Sequence, residues 1–415
     1  MAFYLYDDAR ARRFEPFALT RPVGELCAGA LLTRHRWARL CGESAAGMIV
    51  AEHLRDFFEF DAPAVVTAEI PAGARIVNSR CIPTLGAIPP GDVWTCDGRV
   101  AAVRLAAPLD PAALADGSRL LEALAGPNAA RTAISGWWMD EVWDYIRHLP
   151  AQLAADIPFL AAGATLRADA VADATVVGPR ERLFVEQDGV IEPQVMFDLT
   201  AGPVLVRRGA TVQAFTRVVG PCVIGEDSVV VGDRIAASSI GDRCKVHGEL
   251  SMSIVMGPTN KSHDGFVGHS YLGRWVNLGA GTITSNLKNT YGPVQLWTPD
   301  GLRDTGETFL GSFMGDYART GIGTRLTTGS VIGAGANVFS TGVAPKVVPP
   351  FAWGGEEPFA IFALAKFLDV AERQMARRTV PLSKAARRYL AAAHERGAAS
   401  GGTRAPGFTP QRAAP

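Results

Sequence analysis

Between residues 163 and 345 an aliphatic residue recurs about every six positions, followed by glycine or a short polar residue, as in VGPCVIGEDSVVVG, IGDRCKV, MGDYARTGIGTRL and VIGAGANV. A period of six at constant phase leaves room for one short strand and one turn per hexad. Three hexads then close a triangular coil whose aliphatics stack inward. The expected fold of this segment is a left-handed parallel β-helix, with glycine where the backbone needs positive φ or has no room for a Cβ. A β-sandwich fits less well, because it requires longer alternating strands with turns every eight to twelve residues. The run NLKNTYGPVQLWTPDGLRDTGETF interrupts the hexads. A coil must eject such a run as a loop at one corner, where solenoids tend to place function.

Residues 1–162 have a different texture, that of an α/β domain. AFYLY, AVVTAEI and ARIVN read as strands, and Asp97-Gly98 lies between the strand-like halves of VWTCDGRVAAVRL as a tight hairpin turn. Helices are expected over VGELCAGALLTRHRWARLC, with Val23, Leu26, Cys27, Leu31 and Trp37 on or near its apolar face, over DPAALADGSRLLEALAG, and over WWMDEVWDYIRHLPAQLAADI, kinked or ended near Pro150. Trp137, Trp138 and Trp143 are assigned to core or domain contacts. Residues 346–397 return to helical period, and 398–415 are small, polar and Pro/Gly-rich, the composition of a disordered tail.

Charge excludes some partners. With 41 basic and 41 acidic residues among 415, no summed field draws the chain to nucleic acid or to an anionic membrane. The start MAFYLYDDARARRFEPF lacks a secretory pattern, and no run is apolar enough to span a bilayer, so a soluble cytoplasmic protein is expected. Six cysteines without CxxC spacing read as reduced thiols.

Histidine concentrates in the coil: His247, His263 and His269 are three of seven in the chain. A zinc site is disfavoured, because six residues is one coil edge and should place His263 and His269 on successive faces. The company of His263 is more specific. It lies five residues before Gly268, and is followed by VNLGAGTIT at 276–284 and by Asn286. This ungapped spacing resembles the acetyltransferase domain of the bifunctional bacterial UDP-N-acetylglucosamine pyrophosphorylase/glucosamine-1-phosphate acetyltransferase. Two positions differ: Leu287 stands where that family has tyrosine, and Phe266 where it has another. A broader resemblance, to GlmU-like sugar nucleotidyltransferases, rests on DDARARRFEPFALTRPVGEL at 7–26, HDGFVGHS at 263–270, SNLKNTYG at 285–292 and VVPPFAWGG at 347–355.

The resemblance implies acyl transfer from acetyl-CoA to a sugar amine or hydroxyl. His263 would be the base, Asn286 its orienting partner, and the 279–281 turn a source of oxyanion donors. Asn277 and Phe266 would contact the sugar, Ala280 and Ser312 would line the CoA, and three copies would form sites between subunits. It also implies an N-terminal nucleotidyltransferase acting on a nucleoside triphosphate and a sugar phosphate with Mg²⁺. The glycine-rich phosphate loop of such enzymes is missing here. Arg13 and Arg21 keep its basic positions, and Asp7, Asp8 and Asp92 are the candidate metal carboxylates. The alternatives are an acyltransferase with a degenerate N-terminal domain, or a non-catalytic trimeric scaffold or ligand sensor.

Overall fold

The computed structural model describes residues 2–401 apart from 60, 168 and 341. The N-terminal domain is built on six strands: β1 (Phe3–Tyr6), β2 (Ala45–Ile49), β3 (Arg75–Asn78), β4 (Val93–Cys96), β5 (Arg99–Arg104) and β6 (Arg131–Ala133). Their order is β2-β1-β3-β5-β4-β6. β1 lies parallel between β2 and β3, and β5 runs antiparallel to both β3 and β4. Asp97 and Gly98 close the β4–β5 hairpin at φ 49° and 75°, the left-handed geometry that an Asp-Gly turn adopts at low steric cost.

Several expected elements are shorter than their apolar patterns suggest. AVVTAEI makes only isolated bridges, Met48 to Val65 and Ile70 to Leu109. The helix expected from Val23 is replaced in its first half by a two-residue hairpin, Cys27–Ala28 with Leu31–Leu32, turning at Gly29 with φ 61°. Helix α1 covers only Thr33–Cys41. Val23, Leu26, Cys27, Leu31 and Trp37 are all buried nonetheless. Residues 110–126 form two 3-10 turns, Pro111–Leu114 and Leu121–Leu124, separated by Gly117 at φ 78°. Trp138 ends a short strand, Gly136–Trp138, and a one-turn helix, Asp144–Arg147, precedes α2 (Leu149–Ala162). Pro150 sits in the first turn of α2, where a missing N–H breaks no helical bond. Trp138 and Trp143 are buried, and all six cysteines are free thiols.

The coil is a three-faced parallel β-helix. Its nine-stranded face A runs from Leu183–Val185 to Val347–Val348. Face B begins at Val190–Ile191, and face C at Thr175–Val177. Neighbouring rungs pair in parallel, as in Val204 to Cys222 on face A and Val212 to Val230 on face B. Inward-facing Val, Ile and Leu side chains form one continuous core. On face A the outward side is apolar too. Val204 and Val206 point into the coil, whereas Leu205 joins Val223, Ile254, Tyr271, Phe313 and Val331 in a second core shared with Phe17, Trp143, Tyr145 and α2. The period-2 alternation of a strand thus buries both sides of face A.

After the coil, α3 (Leu364–Ala376) and α4 (Lys384–Gly401) fold back on the N-terminal domain. Phe367, Met375, Tyr389 and Leu390 share a core with Phe3, Trp37, Trp275 and Tyr317. Helix α4 therefore takes in residues 398–401 of the expected tail, and the rest of that tail lies outside the described residues.

A buried ion cluster ties the domains. Arg21, with no exposed side-chain surface, pairs with Glu59 at 2.6 Å and with Asp316 of the coil at 3.0 Å. Glu59 also meets Arg274 at 3.1 Å. Burial alone would raise the Glu59 carboxyl, but Arg21 and then Arg274 overcome it and hold it at about 2. Stability from this shift is fully present above the ordinary carboxylate value and is lost as pH falls toward 2. Arg21→Met should cost about 3–5 kcal/mol at neutral pH, because it leaves buried carboxylates short of a partner. Urea unfolding should show that difference, narrowing below pH 4.5 as Glu59 takes up a proton.

Candidate functional site

The segment with the most chemistry crosses face C. Asn260–Lys261 is the last two-residue rung of face B before it, residues 262–266 turn the B–C corner, Val267–Gly268 is the face C rung, and His269 opens the C–A corner. The two histidines therefore occupy opposite edges of one face. His263 is exposed on its corner, and among the described residues its ring makes no hydrogen bond. The turn beneath it is pinned by Lys261. That ammonium is buried, donates to the backbone carbonyl of His263 at 3.0 Å and to that of His247, and is pushed down to about 8 by burial. Beside the turn is a shallow recess of about 510 Å³, lined by Phe266, Phe215, Arg217 and Arg234 among others.

Asn286 does not reach His263 within one copy of the chain. Its Nδ2 lies 2.8 Å from Nδ1 of His269, whose ring stacks on Phe309 with centroids 5.4 Å apart. An amide N–H donating to Nδ1 places the ring proton on Nε2, so His269 offers a donor there and not a base. Burial lowers its pKa, with Glu307 opposing, which keeps the ring neutral near pH 7. This pairing is possible because Gly268 lacks a Cβ: one would stand 2.8 Å from Asn286 Nδ2 and 2.4 Å from the Phe266 ring. Nothing in the spacing of Asn286 separates the two histidines; only its position on the C–A corner does.

The other expected coil residues are dispersed. Asn277 accepts from Asn260 at 2.9 Å in an asparagine ladder on face B. Ala280 lies on the B–C corner, whereas Ser312, fully buried and with an unpartnered hydroxyl, precedes the face A rung Phe313–Met314. A single copy does not bring them to one groove. Gly279 donates its N–H to the Thr320 carbonyl at 3.1 Å, so it is not a free oxyanion donor.

At the N-terminal sheet, Asp7 and Asp8 follow β1, and Asn78 ends the parallel β3 with Ser79 and Arg80 after it, at the strand ends where open α/β sheets hold ligands. Two reversals of direction put Asp92 at the opposite edge, where it meets Arg104 at 3.3 Å. Asp7 accepts from the Val23 N–H at 2.9 Å, and burial raises it to about 6. Asp8 is held by Arg80 at 2.7 Å and by Asn78; burial would raise its pKa, but Arg80 keeps it low. No cluster of three or more His, Cys, Asp or Glu that could hold a metal ion occurs among the described residues. Asp92 lies apart from Asp7 and Asp8, which are the two expected carboxylates that share the strand ends.

The expected phosphate arginines are engaged as well. Arg21 is locked in the ion cluster, and Arg13 pairs with Asp300. Arg80 and Arg99, which both bind Asp140 at 2.9 Å, were missed in the sequence; a polar NSR run directly after a buried strand was the available signal. A cavity of about 1160 Å³ lies elsewhere, between α1, the A–B corner and α3–α4, with Arg39, Arg274 and Tyr317 in its walls. None of the expected site residues lines it.

Residues 3–165 match the family model described as sugar nucleotidyl transferase. The N-terminal domain is similar to that family over this range. Among curated relatives, a bifunctional sugar-1-phosphate nucleotidylyltransferase/acetyltransferase of Sulfurisphaera tokodaii is 32% identical over 100 residues, covering 24% of this chain and 25% of its own. A bifunctional protein GlmU of Desulfitobacterium hafniense is 31% identical over 230 residues, covering 52% of this chain and 43% of its own. The chain thus spans less than half the length of the curated relatives it matches. A solved UDP-N-acetylglucosamine acyltransferase covers 52% of this chain and 78% of its own at 12% identity, with a TM-score of 0.22, too low to carry an argument.

The arrangement around His269 predicts an imidazole that titrates below 6.5 with its neutral-state proton on Nε2. Long-range ¹H–¹⁵N NMR spectra of the full chain should show that tautomer, and Asn286→Ala should remove the preference.

Proposed function

We propose that the chain is a transferase of nucleotide-sugar metabolism, in which the coil moves an acetyl group from acetyl-CoA to a sugar derivative with His263 as base. The observation that carries this is the exposed His263 imidazole on a pinned corner, beside a recess lined by Arg217, Arg234, Asp233, Glu249 and the Phe266 ring. An imidazole nitrogen without a partner can accept the proton of an attacking amine or hydroxyl, and the mixed acidic and basic lining of the recess suits a polar sugar derivative. His269, whose Nδ1 lone pair is already used, is a positioning residue in this reading.

The same corner favours assembly of three copies. Phe215, Ile322 and Phe339 lie on it with 78%, 83% and 46% of their surface exposed. A neighbouring coil packed there would cover them, and would bring its own C–A corner, with Asn286, toward His263 and Ala280. No helix of the described residues is long and apolar enough to cross a membrane, and a cytoplasmic site of action suits the substrates.

For the N-terminal domain the proposal is nucleotidyl transfer from a nucleoside triphosphate to a sugar phosphate. It is supported by the domain type and by the strand-end carboxylates and arginines. A second reading, acyl transfer alone, is favoured by the engagement of Arg13 and Arg21 in ion pairs.

Two assays separate these. With acetyl-CoA and amino-sugar phosphates, His263→Ala should lower CoA release by at least about 100-fold, and His269→Gln by less than about tenfold. The reverse result would move the base to His269. With a nucleoside triphosphate, Mg²⁺ and a hexose-1-phosphate, pyrophosphate release is expected. CoA release without pyrophosphate release selects the second reading, and binding without either turnover selects a non-catalytic scaffold or sensor.

A further inference from the structure

The loop ejected from the coil links the two candidate sites. It leaves the C–A corner after Asn286, forms the hairpin Gln295–Thr298 with Gly301–Asp304, and returns through Glu307 and Phe309 to the same corner. Its tip reaches the N-terminal domain: Asp300 accepts from Arg13, and Arg303 meets Glu141 at 2.8 Å. Glu141 also holds Arg10 at 2.7 Å. On the return strand Glu307 meets Arg147 at 2.5 Å, and Arg147 donates to the Thr305 carbonyl at 3.0 Å. Two residues later Phe309 stacks on His269, and Leu310 donates its N–H to the Asn286 carbonyl at 2.9 Å.

Carboxylates of the chain thus occupy Arg10 and Arg13, two guanidiniums of the turn after β1 with 47% and 46% of their side-chain surface exposed. A guanidinium binds carboxylate and phosphate through the same fork. Asp300 is exposed as well, to 57%, so the Arg13 pair is weak and open to exchange, whereas Glu141 is only 17% exposed and is shared between Arg10 and Arg303.

We propose that residues 294–310 form a strap that couples the two sites: a polyphosphate binding Arg10 and Arg13 displaces Asp300 and frees the hairpin, altering the Glu307 and Phe309 contacts at His269. The inference rests on the reading of the N-terminal strand ends as a nucleotide-phosphate site. No bond is made or broken; the exchange is one of ion pairs. The strap stem is anchored by Val294, Leu296 and Leu310, buried with Trp143 in the shared core. Thr305 belongs to the anchor, buried and bonded to the Val294 carbonyl, so the moving part is the tip and the 306–309 return, which touch solvent.

The test uses the full chain and inorganic tripolyphosphate as probe, with binding followed by calorimetry and His269 followed by its imidazole NMR signals. Tripolyphosphate should shift the His269 signals. Asp300→Asn, at an exposed hairpin tip, should move them in the same direction without ligand and tighten tripolyphosphate binding about two- to fivefold, the range that loss of a competing exposed ion pair allows. Arg13→Ala should weaken binding and abolish the His269 response. Binding that leaves His269 unchanged, or Asp300→Asn with unaltered affinity, overturns the strap while leaving the phosphate site standing. Failure of tripolyphosphate to bind overturns the phosphate-site reading, and the strap with it. None of these readouts depends on acetyl transfer.

Discussion

Face A of the coil is buried on both sides, and the remaining architecture depends on that. A solenoid face normally shows polar side chains outward, yet here Leu205, Val223, Ile254, Tyr271, Phe313 and Val331 alternate with the inward column and pack under Phe17, Trp143 and α2. At roughly 1.5–3 kcal/mol for each large side chain removed from water, such a stripe cannot remain uncovered. It fixes where the N-terminal domain sits. That placement in turn buries Arg21 against Asp316 and lets Tyr271 donate to the Cys27 carbonyl at 3.0 Å. The polar contacts are a consequence of the apolar docking, because their desolvation is tolerable only once several partners converge.

The docking also decides which parts of the coil stay available. Face A is closed, so chemistry is confined to faces B and C and their corners. The ejected loop leaves at the C–A corner, the one between the free face C and the covered face A, and so bends over the N-terminal strand ends. Had it left at the B–C corner, it would have lain beside His263 and far from Arg13. One insertion at one corner thus brings two candidate sites under the same segment, with His269 and Asn286 at its root.

Much of this was legible in the residues because short aliphatic runs followed by glycine or a small polar residue recur along the coil, even where rung length varies and one loop is ejected. β1, β3, the Asp97-Gly98 hairpin and the last two helices followed from equally local signals. The helices expected over 23–32 and 110–126 did not form, because Gly29 and Gly117 adopt positive φ and tertiary contacts bury the same apolar residues without helical period. The outward apolar residues of face A were in plain view. A period-six reading assigns them to the exposed side, and only the presence of a second domain reverses that. Likewise the spacing from His263 to Asn286 counts residues along the chain but not corners, so it could not show that Asn286 crosses face C to His269.

The same distinction between residue type and geometry applies to the missing glycine-rich loop. Such loops bind phosphate through outward backbone N–H groups. Here the N–H of Ala9 goes to the Gly117 carbonyl, that of Ala11 to the Asp8 carboxylate and that of Arg12 to the Asp8 carbonyl. Arg12 itself is spent on the carbonyls of Asp7, Leu114 and Ala115. The N–H groups of Ala9, Ala11 and Arg12 are thus already engaged, by the turn itself and by the 114–117 segment. Any anion recognised at this edge is held by guanidinium forks, Arg10 and Arg13 from the turn and Arg80 and Arg99 from the neighbouring strands. Side chains can exchange one carboxylate for another anion without rebuilding the backbone. A domain that recognises phosphate this way is poised for regulation by its own acidic residues, which a backbone cradle is not.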